Sequence, residues 1–211
     1  MLDPAHIGVC SWSLRPQSPR ELLTCIQSTG LRAVQLHLDP IRTLAWRADE
    51  TVGVLRNARI RLLSGMMSTK GEDYSTLESI KKTGGIRPDE TWEENLRAAE
   101  GNAIAAQRLS IPLVTFHAGF IPHDSADPAR AKMLDRLIKL AETFGARNIR
   151  IALETGQESA TSLSELLSEL NTKLHATSRV GINFDPANMI LYGMGDPVEA
   201  VKLLAPHIFQ V

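Results

Sequence analysis

The chain has 211 residues, 43% of them hydrophobic, and carries 23 Lys and Arg against 24 Asp and Glu for a formal net charge of -1. That length and apolar content support one sizeable core, read as a single domain over residues 1–211. The balanced charge leaves no basic field for nucleic acid, and no apolar stretch approaches the roughly 20 residues that span a bilayer, so neither is an expected partner.

Two cysteines, Cys10 and Cys25, lack metal-type spacing and read as reduced thiols. The opening MLDPAHIGVC has no basic region followed by a long apolar one, so no signal peptide is expected and the protein reads as cytoplasmic.

Residues 6–12 (HIGVCSW) form the first strand-like run, with Trp12 at its end. Ser18-Pro19-Arg20-Glu21 then supplies a cap, a proline at the first helical position and a Glu at the third, and Gly30 stops that helix. The second strand is AVQLHL (33–38), carrying His37 near its end, and the third is IRLLSGMM (60–67). A polar, glycine-containing stretch follows over 68–90. A loop that long after a strand is more often functional than idle, so it is expected to act as a lid or pocket wall.

LVTFHAG (113–119) is the fourth strand and carries His117. Asp127-Pro128 opens a helix with Met133, Leu134, Leu137, Ile138 and Ala141 on its buried stripe, and Gly145 reads as its stop. IRIALETG (149–156) is the fifth strand, ending at Glu154 with Gln157 and Glu158 just beyond. A helix is expected to open over Ser162 to Glu165, with Leu163, Leu166, Leu167 and Leu170 facing inward. VGINFD (180–185) ends at Asp185, with Asn188 three residues on; Asp196-Pro197 opens another helix, and HIFQV (207–211) is a seventh strand.

Continuous apolar strands recurring about every 30 residues, with helices between them, predict an α/β fold with a parallel sheet covered on both faces. A doubly wound open sheet could stop anywhere. The chain ends at Val211 inside an apolar run, and a (β/α)8 TIM barrel needs about 250 residues. The expectation is therefore such a barrel, incomplete at the C-terminus, with about seven strands present. The uncovered edges of an unclosed barrel favour a homo-oligomer.

Trp12, His37, His117, Glu154, Gln157, Glu158, Asp185 and Asn188 all fall at or just after strand C-termini, the end where such folds place their chemistry. Glu154 and Asp185 each close an apolar run, where an unpaired buried charge would be costly. Two carboxylates converging there suit a hard divalent cation or an acid/base pair; the alternative is a helix cap or a salt-bridged rim. With imidazoles nearby, Mn²⁺, Mg²⁺, Co²⁺ and Zn²⁺ all fit. No phosphate-binding glycine loop, dinucleotide fingerprint, zinc-protease helix or nucleophile elbow occurs. No arginine or lysine cluster is visibly placed for a phosphate.

The segments MMSTKGEDYSTLESIKKTGGIRPDETWEEN, VTFHAGFIPHD, IALETGQESA and GINFDPANMILYGMGDPVEAVKLLAPHIFQV resemble the xylose isomerase-like TIM-barrel superfamily. Within it they are most similar to the group labelled sugar phosphate isomerase/epimerase. The resemblance implies one divalent metal at the barrel mouth, held by a Glu on strand 5, an Asp on strand 6, a His on strand 7 and a Glu on strand 8. Glu154 and Asp185 match the first two, and the others would fall beyond Val211.

The superfamily also includes endonuclease IV, whose strand-4 zinc-binding His matches His117. A further His of that enzyme is replaced here by Asn188, so a nuclease ranks low. In ketose 3-epimerases the position of Asn188 is a substrate-touching His. The expected function is metal-dependent sugar or sugar phosphate isomerisation or epimerisation, by proton transfer through an enediolate. Glu154 would be the base; His37, His117, Gln157, Glu158, Asn188 and Trp12 would contact the sugar. The alternatives are a non-catalytic or incomplete sugar-binding domain and a metal-dependent lyase or dehydratase.

Overall fold

The structure is a computed structural model that describes residues 6–211. Seven strands form one sheet in chain order: β1 (Val9–Cys10), β2 (Ala33–His37), β3 (Arg61–Met66), β4 (Leu113–Phe116), β5 (Arg150–Glu154), β6 (Val180–Asn183) and β7 (Ile208–Gln210). Every neighbouring pair is parallel, as the apolar runs predict. β1 and β7 are the outer members and share no ladder among the described residues. The chain therefore has the strand order and parallel pairing of a TIM barrel, without closure of the sheet among the described residues.

Parallel neighbours require a crossover between them. Those crossovers carry α1 (Ser11–Leu14), α2 (Pro19–Ser28), α3 (Asp39–Arg42), α4 (Ala48–Asn57), α5 (Leu77–Thr83), α6 (Asp89–Arg108), α7 (Pro128–Gly145), α8 (Ala160–Thr172), α9 (Pro186–Leu191) and α10 (Pro197–Leu204). One consequence places the site. All loops that leave strand C-termini emerge on the same edge of the sheet, so distant polar residues meet there.

The core lies between the sheet and its helices. β4 is buried along its whole length, and Ile151, Ala152, Leu153 and Ile182 are fully covered. Against them α7 lays Met133, Leu137, Leu140 and Phe144, and α8 lays Leu163, Leu166, Leu167 and Leu170. Each such side chain contributes about 1.5–3 kcal/mol by leaving water. Among the described residues no helix is long and apolar enough to cross a membrane.

The capping signals at Ser18, Asp127 and Asp196 act as expected. Each side chain accepts a backbone N–H in the first turn of its helix, with proline at the first helical position. Two expectations are corrected. α8 starts at Ala160 with Ser159 as its cap, because the Ser159 hydroxyl, not that of Ser162, accepts the free amide; Ser162 supplies that N–H, at 3.2 Å. Gly145 is the last helical residue of α7, not a left-handed stop. A Cβ there would sit 2.0 Å from Ser178 Oγ, so glycine is present for close packing.

The 68–90 stretch is ordered by a backbone crossing. Gly85 has φ +65°, and a Cβ on it would lie 2.1 Å from the carbonyl of Ala118. Ile86 N–H donates to that same carbonyl at 3.0 Å. The loop is thereby seated on the segment after β4.

Candidate functional site

A cavity of about 530 Å³ opens at the C-terminal edge of the sheet. Trp12, His117, Glu154, Asp185 and Asn188 line it, which brings together residues at or just beyond the C-terminal ends of four strands, β1, β4, β5 and β6. Glu72 and Tyr74 from the long loop, with Asn183 and Tyr192, complete the part used below.

Glu154 is the last residue of β5, in register with Asn183 of β6. Asn188 Nδ2 donates to Glu154 Oε1 at 2.9 Å, so this asparagine, expected to touch substrate, holds the carboxylate in place. Burial pushes the Glu154 carboxyl above its ordinary pKa; the charge of His117 opposes this and that of Asp185 adds to it.

Asp185 caps α9. Its Oδ1 accepts from Ala187 N–H at 2.8 Å and Asn188 N–H at 3.1 Å. Thr155 fixes its backbone in both directions: Thr155 Oγ1 donates to Asp185 O at 2.9 Å and accepts from Asp185 N–H at 2.7 Å. Asp185 is thus a helix cap that also lines the cavity, and its second oxygen carries no hydrogen bond among the described residues.

His117 stands just beyond β4, with Nδ1 3.4 Å from Glu72 Oε1. Glu72 Oε1 also accepts Gly85 N–H at 3.0 Å, and Tyr74 donates to its Oε2 at 3.2 Å. Burial lowers the His117 pKa, but Glu72, with help from Glu158 and Glu154, outweighs it, and the net direction is upward. Burial would raise Glu72; the bonds from His117, Thr69 and Gly85 outweigh that and leave it lowered. Each partner thus favours the charged form of the other.

Three sequence candidates lie outside this cavity. His37 lines a recess of about 190 Å³ with Trp12, its ring 4.5 Å from the indole and its Nε2 3.0 Å from Asp39 Oδ2. Gln157 donates to Leu77 O at 3.2 Å, tying the long loop to the β5 end. Glu158 is buried; its Oε1 accepts Ile121 N–H at 3.0 Å, and burial raises its pKa. Glu72 is the residue that sequence reading missed. The loop had been expected to be a pocket wall, but nothing in its local pattern marks which of its acids turns inward.

Among the described residues no three His, Cys, Asp or Glu gather as a metal-holding group. Glu154 and Asp185 do fit a hard cation as a pair. The charge of Asp185 raises the cost of ionising Glu154, Asp185 keeps an uncommitted oxygen, and a Mg²⁺-like ion takes one or two carboxylates and keeps several waters.

Residues 23–211 match the family described as Xylose isomerase-like TIM barrel. The solved structure of a xylose isomerase domain protein from Planctomyces limnophilus has 29% identity and a TM-score of 0.81, covering 89% of this chain and 65% of that one. This chain thus spans just under two thirds of that relative's length. The 3-keto-D-glucoside 4-epimerase YcjR from E. coli has 15% identity and a TM-score of 0.73 over 98% of this chain and 77% of its own. A xylose isomerase-like TIM barrel protein from Mycobacterium smegmatis, solved in complex with magnesium, has 16% identity and a TM-score of 0.69 over 99% and 74%. At those last two identities the likeness is one of fold. No functionally curated protein matches the chain.

Proposed function

The chain belongs to the xylose isomerase-like TIM-barrel family, and from that premise we propose that it acts on a sugar or related hydroxy-carbonyl compound, moving a proton next to the carbonyl. The observation that carries this reading is Glu154. It is a half-buried carboxylate with a raised pKa, oriented by Asn188, on the wall of a cavity large enough for a sugar. A base so tuned is better matched to carbon acid chemistry near neutral pH than an ordinary carboxylate.

Glu154 would take the proton from the carbon beside the carbonyl. The resulting enediolate is negative on oxygen. His117, whose imidazolium form Glu72 favours, would donate a hydrogen bond to that oxygen. Trp12, exposed at the cavity rim, offers an apolar face to the C–H side of a sugar ring. A divalent cation on Glu154 and Asp185, when bound, supplies Lewis acidity to the carbonyl and its neighbouring hydroxyl.

The test is solvent deuterium exchange at the carbon beside the carbonyl. It is followed by proton NMR over a panel of ketoses, aldoses and keto-sugars, with Mn²⁺ or Mg²⁺ added and with chelator. Exchange that vanishes in Glu154→Gln supports the reading. Exchange unchanged in that variant removes Glu154 as the base. Sugar binding with no exchange on any member would make the chain a binding domain, and a dehydrated product would make it a lyase.

A further inference from the structure

Beside the acidic cavity lies a second one, of about 420 Å³, with the opposite charge. Ser68 and Thr69 line both, so the two spaces share a wall. The second is bordered by Arg42 at the end of α3, Lys70 just after β3 and Arg97 on α6. Among the described residues Glu94 is its one lining carboxylate, and Lys70 Nζ already engages both of its oxygens at 2.6 and 2.8 Å.

Arg42 is held from behind. Its Nε donates to Asp39 Oδ1 at 2.9 Å. Asp39 is buried and is itself fixed by Asn102 Nδ2 at 3.0 Å and by Ser68. The aliphatic stem of Arg42 crosses α6 at Gly101, where a Cβ would come within 2.8 Å of it. Both terminal NH₂ groups of Arg42 are without a hydrogen bond among the described residues, and Arg97 makes neither hydrogen bond nor ion pair there. An anchored guanidinium with its fork left open is a geometry matched to an oxyanion.

The neighbouring cavity is less suited to a permanent anionic group. Glu72, Glu154 and Asp185 line it and would repel a second anion at close range. We propose that the second cavity receives an anionic group, phosphate or carboxylate, carried by the same substrate whose carbonyl end reacts at Glu154. The substrate class is then an acidic sugar derivative, with its neutral hydroxy-carbonyl end in the acidic cavity and its charge in the basic one. The link to a reacting carbonyl rests on the sugar reading given above; the anion site itself does not.

The test titrates the 211-residue chain with inorganic phosphate and, separately, acetate at constant ionic strength, read by ¹⁵N NMR. The expected result is saturable shifts in the Arg42 and Arg97 side-chain Nε–H signals and in the amides of Ser68 and Lys70. Affinity should fall by about tenfold or more in Arg97→Ala, the loss of one charge-assisted contact. Arg97 is exposed on its helix, so that variant keeps the fold. Saturation by phosphate alone assigns phosphorylated substrates, and saturation by both anions assigns sugar acids as well. Shifts that never saturate, or an affinity equal in Arg97→Ala, overturn the proposal. Glu154→Gln separates the two readings: it should abolish deuterium exchange and leave anion binding intact. Exchange without anion binding would retain the sugar reading and discard this one.

Discussion

Replacing Asp39 by alanine tests how the edge of the site is built. Its carboxylate accepts from His37 Nε2 at 3.0 Å, Arg42 Nε at 2.9 Å, Asn102 Nδ2 at 3.0 Å, Ser68 N–H at 3.2 Å and the Ser68 hydroxyl. His37 and Arg42 are 27% and 30% exposed at the side chain, so they turn to water and their loss adds little. Asn102 is wholly buried and has no such recourse, and the Ser68 amide is held inside the same network. Each buried donor left without an acceptor costs about 1–3 kcal/mol. Asn102 and the partly buried Ser68 amide together give a loss of about 2–6 kcal/mol, or a fall in Tm on the order of 10 °C for a chain of this size.

Thermal and urea unfolding at neutral pH, followed by circular dichroism, measure it. A loss below about 1 kcal/mol would refute the bookkeeping of stranded donors. The pH dependence adds a second check. Burial would raise the Asp39 carboxyl, but the bonds from His37, Ser68, Asn102 and Arg42 outweigh it and hold it well below the usual carboxylate range. A depressed folded pKa contributes stability that is complete above the unfolded value of about 3.9 and is lost as pH falls through the folded value. The gap between wild type and Asp39→Ala should therefore hold down to about pH 5 and close only in strong acid.

Gly85→Ala forces a side chain onto a residue with φ +65° and against the Ala118 carbonyl. The left-handed conformation costs about 1–2 kcal/mol, and the bonds from Gly85 N–H to Glu72 and from Ile86 N–H to Ala118 O are put at risk at about 1 kcal/mol each. Amide exchange at Ile86 should quicken while that in β4 stays slow; unaltered protection at Ile86 would show that the crossing does not seat the loop. Glu72→Gln should lower the pKa at which the His117 ring titrates, as read by NMR. Since the folded His117 pKa is raised, its contribution to stability is full below the unfolded value and fades as pH rises through the folded one, and the variant should lose that dependence. A titration that does not move would mean that Glu72 does not set the charge of His117.

The strands were legible because apolar runs mark them, most continuous where a strand is covered on both faces and weaker in the half-buried outer strands β1 and β7. β4, buried throughout, is the clearest instance. Asp127-Pro128 and Asp196-Pro197 were legible because a cap and a first-turn proline act over a few residues. Glu154 and Asp185 could be singled out for a related reason: a charge that ends an apolar run marks the place where a buried strand reaches the rim. The start of α8 was misplaced because Ser159 and Ser162 carry the same hydroxyl, and only the backbone path decides which one meets a free amide.

The pairings that give the site its chemistry lay outside what a linear pattern can hold. Glu72 and His117 come from separate crossovers, as do Asn188 and Glu154, and their meeting depends on strand order and register. Arg42, Lys70 and Arg97 lie in three segments, and no arginine or lysine cluster could be seen in the sequence; the structure gathers them at one cavity. Asp39 was not singled out in the sequence, yet it is the buried acceptor that aims Arg42. Local periodicity records which way a residue faces, and that is enough to determine the elements and the edge of the sheet where function gathers. Which residues touch across that edge is decided by parallel crossovers that bring together groups dozens of residues apart, and so by the tertiary structure alone.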